Sequence, residues 1–382
     1  GHVTGVQTCA LPIWLQPSLD PTTIDGLLQD LRKARNTAVV VEAAVVTRVS
    51  TIALQALLSA WMTWRSDGHD FHVASASPAL ADAASLLGRG GAGFPAGRKW
   101  SMLRKAPVTY LVVNGDESEP ATFKDHYLVE REPHQLVEGV TIAAYALQVS
   151  QAFIYLRGEF ALGLERVQQA LNDAYDYGAL GANIFGSQFS LDIVVHPGAG
   201  AYICGEETSL IEALEGKRGF PRIKPPYFPA AIGLYGQPTV VNNVETMSNM
   251  PWIVSNSGAA FAALGDGRST GTRLFALSGR VKNPGVYELE MVKNTFRDLI
   301  YDPALGGGIA NDKKIKAFIP GGVSAPWFGP DDLDTPLGQD EVANKASMLG
   351  SGSIVVLDED SCVRSEEHTS ELQSRGLISY AV

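Results

Sequence analysis

The sequence predicts an α/β protein, and three observations carry that prediction. Through the first quarter of the chain, amphipathic helical stretches alternate with short β-branched runs, the pattern of βα units built on one sheet. A glycine-dense segment at 86–100 directly follows a helical pattern and precedes the β-branched run 109–120, and open α/β sheets bind ligands beyond the carboxyl ends of such strands. After a polar, glycine-rich stretch at 255–271, short strands punctuated by NPG and GG turns predict a smaller β-rich domain. The 382 residues are 45% hydrophobic and 19% charged, which is enough apolar material for two or three cores. A formal net charge of −11 argues against a general nucleic-acid binder. No apolar run approaches the ~20 residues of a membrane helix. Cys9, Cys204 and Cys362 lie too far apart for a disulfide framework and form no C-x-x-C pair, so a reducing, cytoplasmic compartment is expected.

The elements follow in order. Residues 1–13 and 364–382 carry no periodicity that continues into what adjoins them, and both are expected to lie outside the fold. At 24–35, IDGLLQDLRKAR sets Ile24, Leu27, Leu28 and Leu31 on one face of a helix. The run TAVVVEAAVV at 37–46 reads as a strand buried on both faces. Helical spacing returns at 50–64, FHVAS at 71–75 gives a second strand, and 77–88 closes with a helix capped by Ser77 with Pro78 at its first position.

Five glycines between Gly88 and Gly97 allow close backbone approach and a cradle of N–H groups for phosphate, with Arg89, Arg98 and Lys99 adding positive charge. A flexible loop is the plainer alternative. The strand that follows ends in Asn114, Asp116, Glu117 and Glu119, carboxylates suited to vicinal hydroxyls, or simply an acidic turn. In GAGAYICGEETSLIEALEG (198–216), Glu206 and Glu207 fall in the first turn of a helix, where the dipole favours a carboxylate. Lys224, Tyr227 and Phe228 lie in the proline-rich 217–229 stretch and offer a cationic and aromatic wall. Asn242 and Asn243 end a short strand, as amide ligands or as a turn signal. Cys204 reads as a small core residue.

Together GRGGAGFPAGRKW, NGDESEP, GAGAYICGEETSL, KPPYFP and PTVVNNVET, in this order and spacing, closely resemble the flavoprotein subunit of respiratory complex I, the F subunit of NADH-quinone oxidoreductase. The resemblance covers about 88–363. It implies a Rossmann-like FMN- and NADH-binding domain at 88–265 and a β-grasp-like SLBB domain at 266–363. It further implies an oxidoreductase that takes a hydride from NADH onto FMN, where the cofactor supplies the chemistry and the protein positions and excludes. By the same resemblance Gly88, Arg89, Gly90, Gly91 and Lys99 would contact FMN, with Asn114, Asp116, Asn242 and Asn243 completing its site. Phe94 would stack near the adenine of NADH, and Glu119, Tyr202, Glu206, Glu207 and Lys224 would border the NADH cleft. Either Tyr227 or Phe228 would be the further stacking aromatic. No catalytic acid or base and no metal ligand is assigned.

The module also occurs in soluble NAD-dependent formate dehydrogenases and NAD-reducing hydrogenases, so a diaphorase subunit is the alternative. As a complex I component, the chain would sit in the cytoplasm peripheral to the inner membrane, beside other peripheral-arm components such as the E-type subunit, with no membrane span of its own. The family's C-terminal [4Fe–4S] domain, with its S-C-G-x-C-x-P-C motif, has no counterpart here, and Cys362 lies in the wrong context to replace it.

Residues 14–87 resemble a STAS domain, a protein-interaction module. Ile52 stands where many such domains carry a phosphorylated serine, and Ser50 reads as a helix cap. Both chain ends resemble translated sequencing-adapter read-through. The junction near LLGRGG is therefore expected to be a natural fusion, an assembly chimera of two genes, or a divergent leader.

Overall fold

In the computed structural model the described residues are 11–14, 18–19, 24–35, 37, 39–42, 48–49, 67, 71–74 and 86–362 except 105. They belong to two compact units, one taking in residues up to 85 together with Trp252–Ala262, the other Leu86–Pro251 and the chain from 263 onward.

The first unit holds a parallel sheet of β1 (Leu11–Trp14), β2 (Val39–Glu42) and β3 (Phe71–Ala74), with β2 central. Leu11 pairs with Val39, and Val39 with Phe71. Helix α1 (Ile24–Lys33) buries Leu27 and Leu31, four residues apart on one face. Residues 11–13, expected outside the fold, are part of β1, because an apolar LPIW run finds a β-branched partner in Val39–Glu42. The helix expected at 50–64 lies outside the described residues. Of the one expected at 77–88 only 86–88 are described, and these are not helical. Leu87 bridges Pro95 and the Gly88 N–H donates to the Phe94 carbonyl at 3.0 Å, so the glycine loop folds back on its own entrance.

The second unit begins with α2 (Ala96–Ser101) and β4 (Tyr110–Gly115), then α3 (Asp125–Arg131), α4 (Pro133–Leu147) and β5 (Gln151–Leu156). After α5 (Ala161–Asp176) and β6 (Asp192–Pro197) come α6 (Glu207–Leu214), β7 (Thr239–Asn243) and α7 (Val244–Ser248). Four strands form one parallel sheet in the order β6-β5-β4-β7. Leu111, Val112 and Val113 are wholly buried, as a strand covered on both faces requires. The chain winds outward from β4 to β5 and β6, then returns to place β7 on the other side. The switch point therefore lies between the carboxyl ends of β4 and β7, where Asn114 pairs with Asn243.

A second four-stranded sheet follows. Strands β8 (Thr272–Gly279) and β9 (Gly285–Glu290) form a hairpin, helix α8 (Phe296–Tyr301) crosses, and β10 (Ile315–Ile319), α9 (Gln339–Ala343) and β11 (Ser353–Asp358) complete it. The order is β9-β8-β11-β10, a central parallel pair flanked by antiparallel neighbours. Thr295 and Asp298 close a capping box at the start of α8. Below the helix, Phe296, Phe318 and Phe328 meet with ring centroids 5.0–5.8 Å apart, the edge and tilted geometries aromatic quadrupoles favour.

Candidate functional site

A cleft of about 440 Å³ opens at the switch point. Its floor is the end of β4 and the loop 116–119, and one side is the glycine loop. The loops beside the second sheet contribute Gly321, Ser324, Gly350 and Ser351, with Gly350 and Ser351 next to Gly91 of the glycine loop.

The glycine loop is packed tightly. A Cβ on Gly90 would stand 3.2 Å from the Asn243 Cβ, and Gly91 has φ +116°, a conformation side chains resist. The loop's cations are directed elsewhere than the sequence suggests. Arg89 is fully buried, and its guanidinium donates to the carbonyls of Thr270 (2.8 Å) and Thr272 (2.7 Å), while its backbone N–H donates to Thr246 Oγ1. Burial lowers its pKa to about 10, with Glu245 opposing. Arg89 thus anchors the loop to the chain beyond it. Arg98 lies over the Phe94 ring, 5.7 Å from its centroid, and Lys99 Nζ sits 3.2 Å from Glu207 Oε2 and 3.0 Å from the Val241 carbonyl.

On the floor, Asn114 Nδ2 donates to the Gly205 carbonyl at 2.9 Å, and its Oδ1 accepts the Asp116 N–H at 3.1 Å. The Asp116 side chain is wholly buried, yet among the described residues neither carboxylate oxygen has a partner in good hydrogen-bond geometry, the Ser118 hydroxyl beside it only weakly opposing the effect of burial. Burial raises its pKa to about 6. Asn242 Nδ2 is likewise buried without a partner. Glu117 differs from both neighbours: at φ +39° its buried carboxylate accepts the N–H groups of Asp125 (2.6 Å) and His126 (3.0 Å) and so caps α3.

Glu119 ties the two walls together, accepting Tyr202 Oη at 2.5 Å on one oxygen and Ser324 N and Oγ at 2.9 and 2.5 Å on the other. Glu206 is the N-cap of α6 and Glu207 its first residue. Glu206 Oε2 accepts the N–H groups of Thr208 and Ser209, both at 2.9 Å. Lys224 Nζ lies 3.1 Å from Glu206 Oε1 and 2.7 Å from Glu207 Oε1. Burial works against both charges, but Thr208, Ser209 and Lys224 hold the Glu206 carboxyl below its ordinary range, and Lys99 and Lys224 do the same for Glu207. Phe94 and Phe228 are exposed, as is Tyr227, which borders a separate depression with Glu212, Glu215 and Arg222. Cys204 is packed in the core with Tyr155, Leu210 and Val241.

Thus Arg89, Gly90, Gly91, Asn114, Asp116, Glu119, Tyr202, Glu206 and Asn243 line one cleft. Lys99, Glu207 and Lys224 extend from it as a chain of ion pairs. The sequence reading missed Lys124, Asp125, Ser324, Gly350 and Ser351 on the cleft wall, and Glu245, which pairs with Lys124 behind it. The charged pair in FKD and the glycine pair in PGGVSAP were the available signals. Among the described residues, no group of three His, Cys, Asp or Glu side chains is arranged to hold a metal.

Fold and cleft together define a doubly wound α/β protein with a cleft at the topological switch point, where open α/β sheets bind ligands. Residues 81–252 match the Nuo51 FMN-binding domain family. The NADH-quinone oxidoreductase F subunit numbered 2 in Rhizobium meliloti (strain 1021) is 48% identical over 286 residues, 74% of this chain and 67% of that protein. The corresponding F subunit of Aquifex aeolicus (strain VF5) is 48% identical over 280 residues, 73% of this chain and 63% of that one. The NADP-reducing hydrogenase subunit HndC of Solidesulfovibrio fructosivorans is 44% identical over 74% of this chain and 57% of its own length. Among solved structures, an NAD⁺-reducing [NiFe]-hydrogenase in the H2-reduced state aligns with TM-score 0.65 and 36% identity, covering 74% of this chain and 46% of that one. This chain belongs to the family of NADH-quinone oxidoreductase F subunits. It spans about two thirds or less of the length of these relatives.

Proposed function

We propose that this chain is the FMN- and NADH-binding module of an NADH:acceptor oxidoreductase of the complex I flavoprotein type. The observation that carries the reading is Asp116, a buried carboxylate with two unfilled acceptor oxygens at the switch point, beside a glycine loop and the Asn114/Asn243 pair. A buried acceptor without a donor is costly, and the vicinal hydroxyls of a ribityl chain supply the missing donors. The residues present therefore fit FMN. Gly90 and Gly91 offer backbone to its phosphate, Gly88 and Arg89 hold the loop in shape through their own hydrogen bonds, and Asn114, Asp116, Asn242 and Asn243 serve its polyol and ring. Lys99 reinforces the β7 end of that site. When bound, FMN accepts a hydride from NADH and releases electrons singly. The chain's own residues bind, orient and shield.

NADH is assigned to the exposed part of the cleft. Phe94 and Phe228 offer stacking faces, and the place of Tyr227 in a different depression favours Phe228 over it. Glu119, Tyr202, Glu206, Glu207 and Lys224 border the substrate, and their mutual hydrogen bonds can be exchanged for bonds to its hydroxyls and phosphates. The 44% identity to a hydrogenase component supports a diaphorase of a soluble hydrogenase or formate dehydrogenase as the second reading. A peripheral-arm partner of the E type, a [4Fe–4S] acceptor carried outside this chain, and a place peripheral to the inner membrane follow from the first. Among the described residues no helix is long and apolar enough to cross a membrane. The order β9-β8-β11-β10 around a parallel pair supports the β-grasp-like SLBB assignment, and the parallel sheet with α1 supports the STAS-like one.

The test is to purify the chain, add FMN, and measure flavin content and NADH-dependent ferricyanide reduction. The reading predicts a yellow protein whose activity is lost in Lys99→Ala plus Glu119→Gln. Full activity in that double variant overturns the site assignment.

A further inference from the structure

In the wall of the proposed flavin site Asn243 is joined to a buried polar network whose other members the proposed function leaves without a role. Lys124 is 1% exposed, and its ammonium donates to Asp125 Oδ1 at 2.6 Å and Asn243 Oδ1 at 3.5 Å and forms an ion pair with Glu245 Oε2 at 2.7 Å. Asp125 is 3% exposed, and its other oxygen, Oδ2, accepts from Asn243 Nδ2 at 2.6 Å. Asn243 Oδ1 also accepts the Glu245 N–H at 3.0 Å, the cap of α7. Glu245 Oε1 in turn accepts the Leu274 N–H at 2.8 Å, which ties the group to β8.

These bonds leave the Asn243 carboxamide one orientation. Its oxygen faces a cation and a backbone donor, so a flip would set an NH₂ against Lys124 and an oxygen against the Asp125 carboxylate, exchanging two attractions for two repulsions. Nδ2 carries two protons. Asp125 takes one, and the other has no acceptor among the described residues on a side chain that lines the cleft.

We infer that Lys124 and Asp125 are positioning residues that lock the Asn243 carboxamide so that its free N–H is presented to the ligand in the cleft. The pair acts on the ligand only through Asn243, and the inference rests on reading the cleft as the FMN site. The geometry has a stricter consequence than a general structural role: the effect of disturbing Asp125 must vanish once Asn243 is gone.

A double-mutant cycle on the full chain reads this directly. FMN affinity is measured by quenching of free FMN fluorescence for the unsubstituted chain, Asp125→Asn, Asn243→Ala and the double variant, with the visible circular dichroism of the bound flavin recorded for each. Asp125→Asn keeps size and an acceptor but removes the charge, and should weaken FMN binding about tenfold, as for one hydrogen bond to a charged group. Against Asn243→Ala the same change should cost less than about twofold and leave the flavin spectrum unchanged. Lys124→Met provides a second cycle should Asp125→Asn fail to fold, with the same expectation. Additive losses in a cycle overturn the positioning role while leaving the FMN reading intact. An unsubstituted chain that binds no FMN removes the FMN reading, and this inference with it.

Discussion

In the buried part of the cleft, Asp116 holds carboxylate oxygens that no group among the described residues satisfies, whereas in the exposed part Glu206, Glu207 and Lys224 already satisfy one another. The same acidic chemistry is thus left open at one end and closed at the other. An unfilled buried acceptor destabilises the free protein and is relieved only by a bound partner, which favours a ligand that stays. Ion pairs whose side chains remain about 30% exposed are weak and exchangeable, which suits a substrate that enters and leaves. Under the proposed function, a cofactor that stays and a substrate that exchanges thus meet side chains that are satisfied in different ways.

The contrast between the two ends breaks most readily at Asp116. Asp116→Ala removes both acceptor oxygens and should weaken FMN binding about 100-fold or more, read as flavin content after gel filtration. An unchanged flavin content would remove the buried carboxylate from the account. A Lys224→Met variant should keep its flavin and raise KM for NADH about tenfold, with kcat for ferricyanide changed less than about threefold, because it disturbs only the exchangeable end. Should flavin fall in parallel, the two ends are not independent.

The pH dependence sharpens the same point. In the free protein Asp116 has a pKa of about 6, raised by burial. A raised carboxyl pKa adds stability below the unfolded value near 3.8, and that contribution is lost as pH rises toward 6 and above. Hydroxyl donors favour the ionised form, so FMN binding releases a proton. Affinity should fall as pH drops below about 6 and level off above it, and Asp116→Asn should flatten that slope. The smallest effect on the cleft is expected from Phe318→Ala. Loss of the Phe296–Phe318–Phe328 packing should cost about 3–5 kcal/mol of unfolding free energy, while the flavin affinity of the folded fraction stays within about twofold.

Much of this cleft was legible in the sequence because its parts are local. The strand end NGD and the NN pair each sit at a strand terminus, the parallel pairing of β4 with β7 brings those two termini together, and the glycine run joins them as the loop that leads into α2. Side-chain direction was not legible. Arg89 looked like a phosphate cation, but its Nη2 donates to the carbonyls of Thr270 and Thr272, over 180 residues away, while its Nε and Nη1 have no partner among the described residues. Glu117 looked equivalent to Asp116 and is instead a helix cap, a difference set by one positive φ. The wall from the second sheet is also long-range: Ser324 reaches Glu119 across 205 residues. No periodicity within either segment encodes that pairing.

The central claim is that the switch-point cleft holds FMN where NADH can reduce it. Anaerobic mixing of the FMN-loaded chain with NADH, followed by absorbance, tests it most directly. The account predicts that the visible flavin band bleaches in the unsubstituted chain and returns when ferricyanide is added. A chain that binds FMN tightly but keeps the band oxidised in the presence of NADH would contradict it.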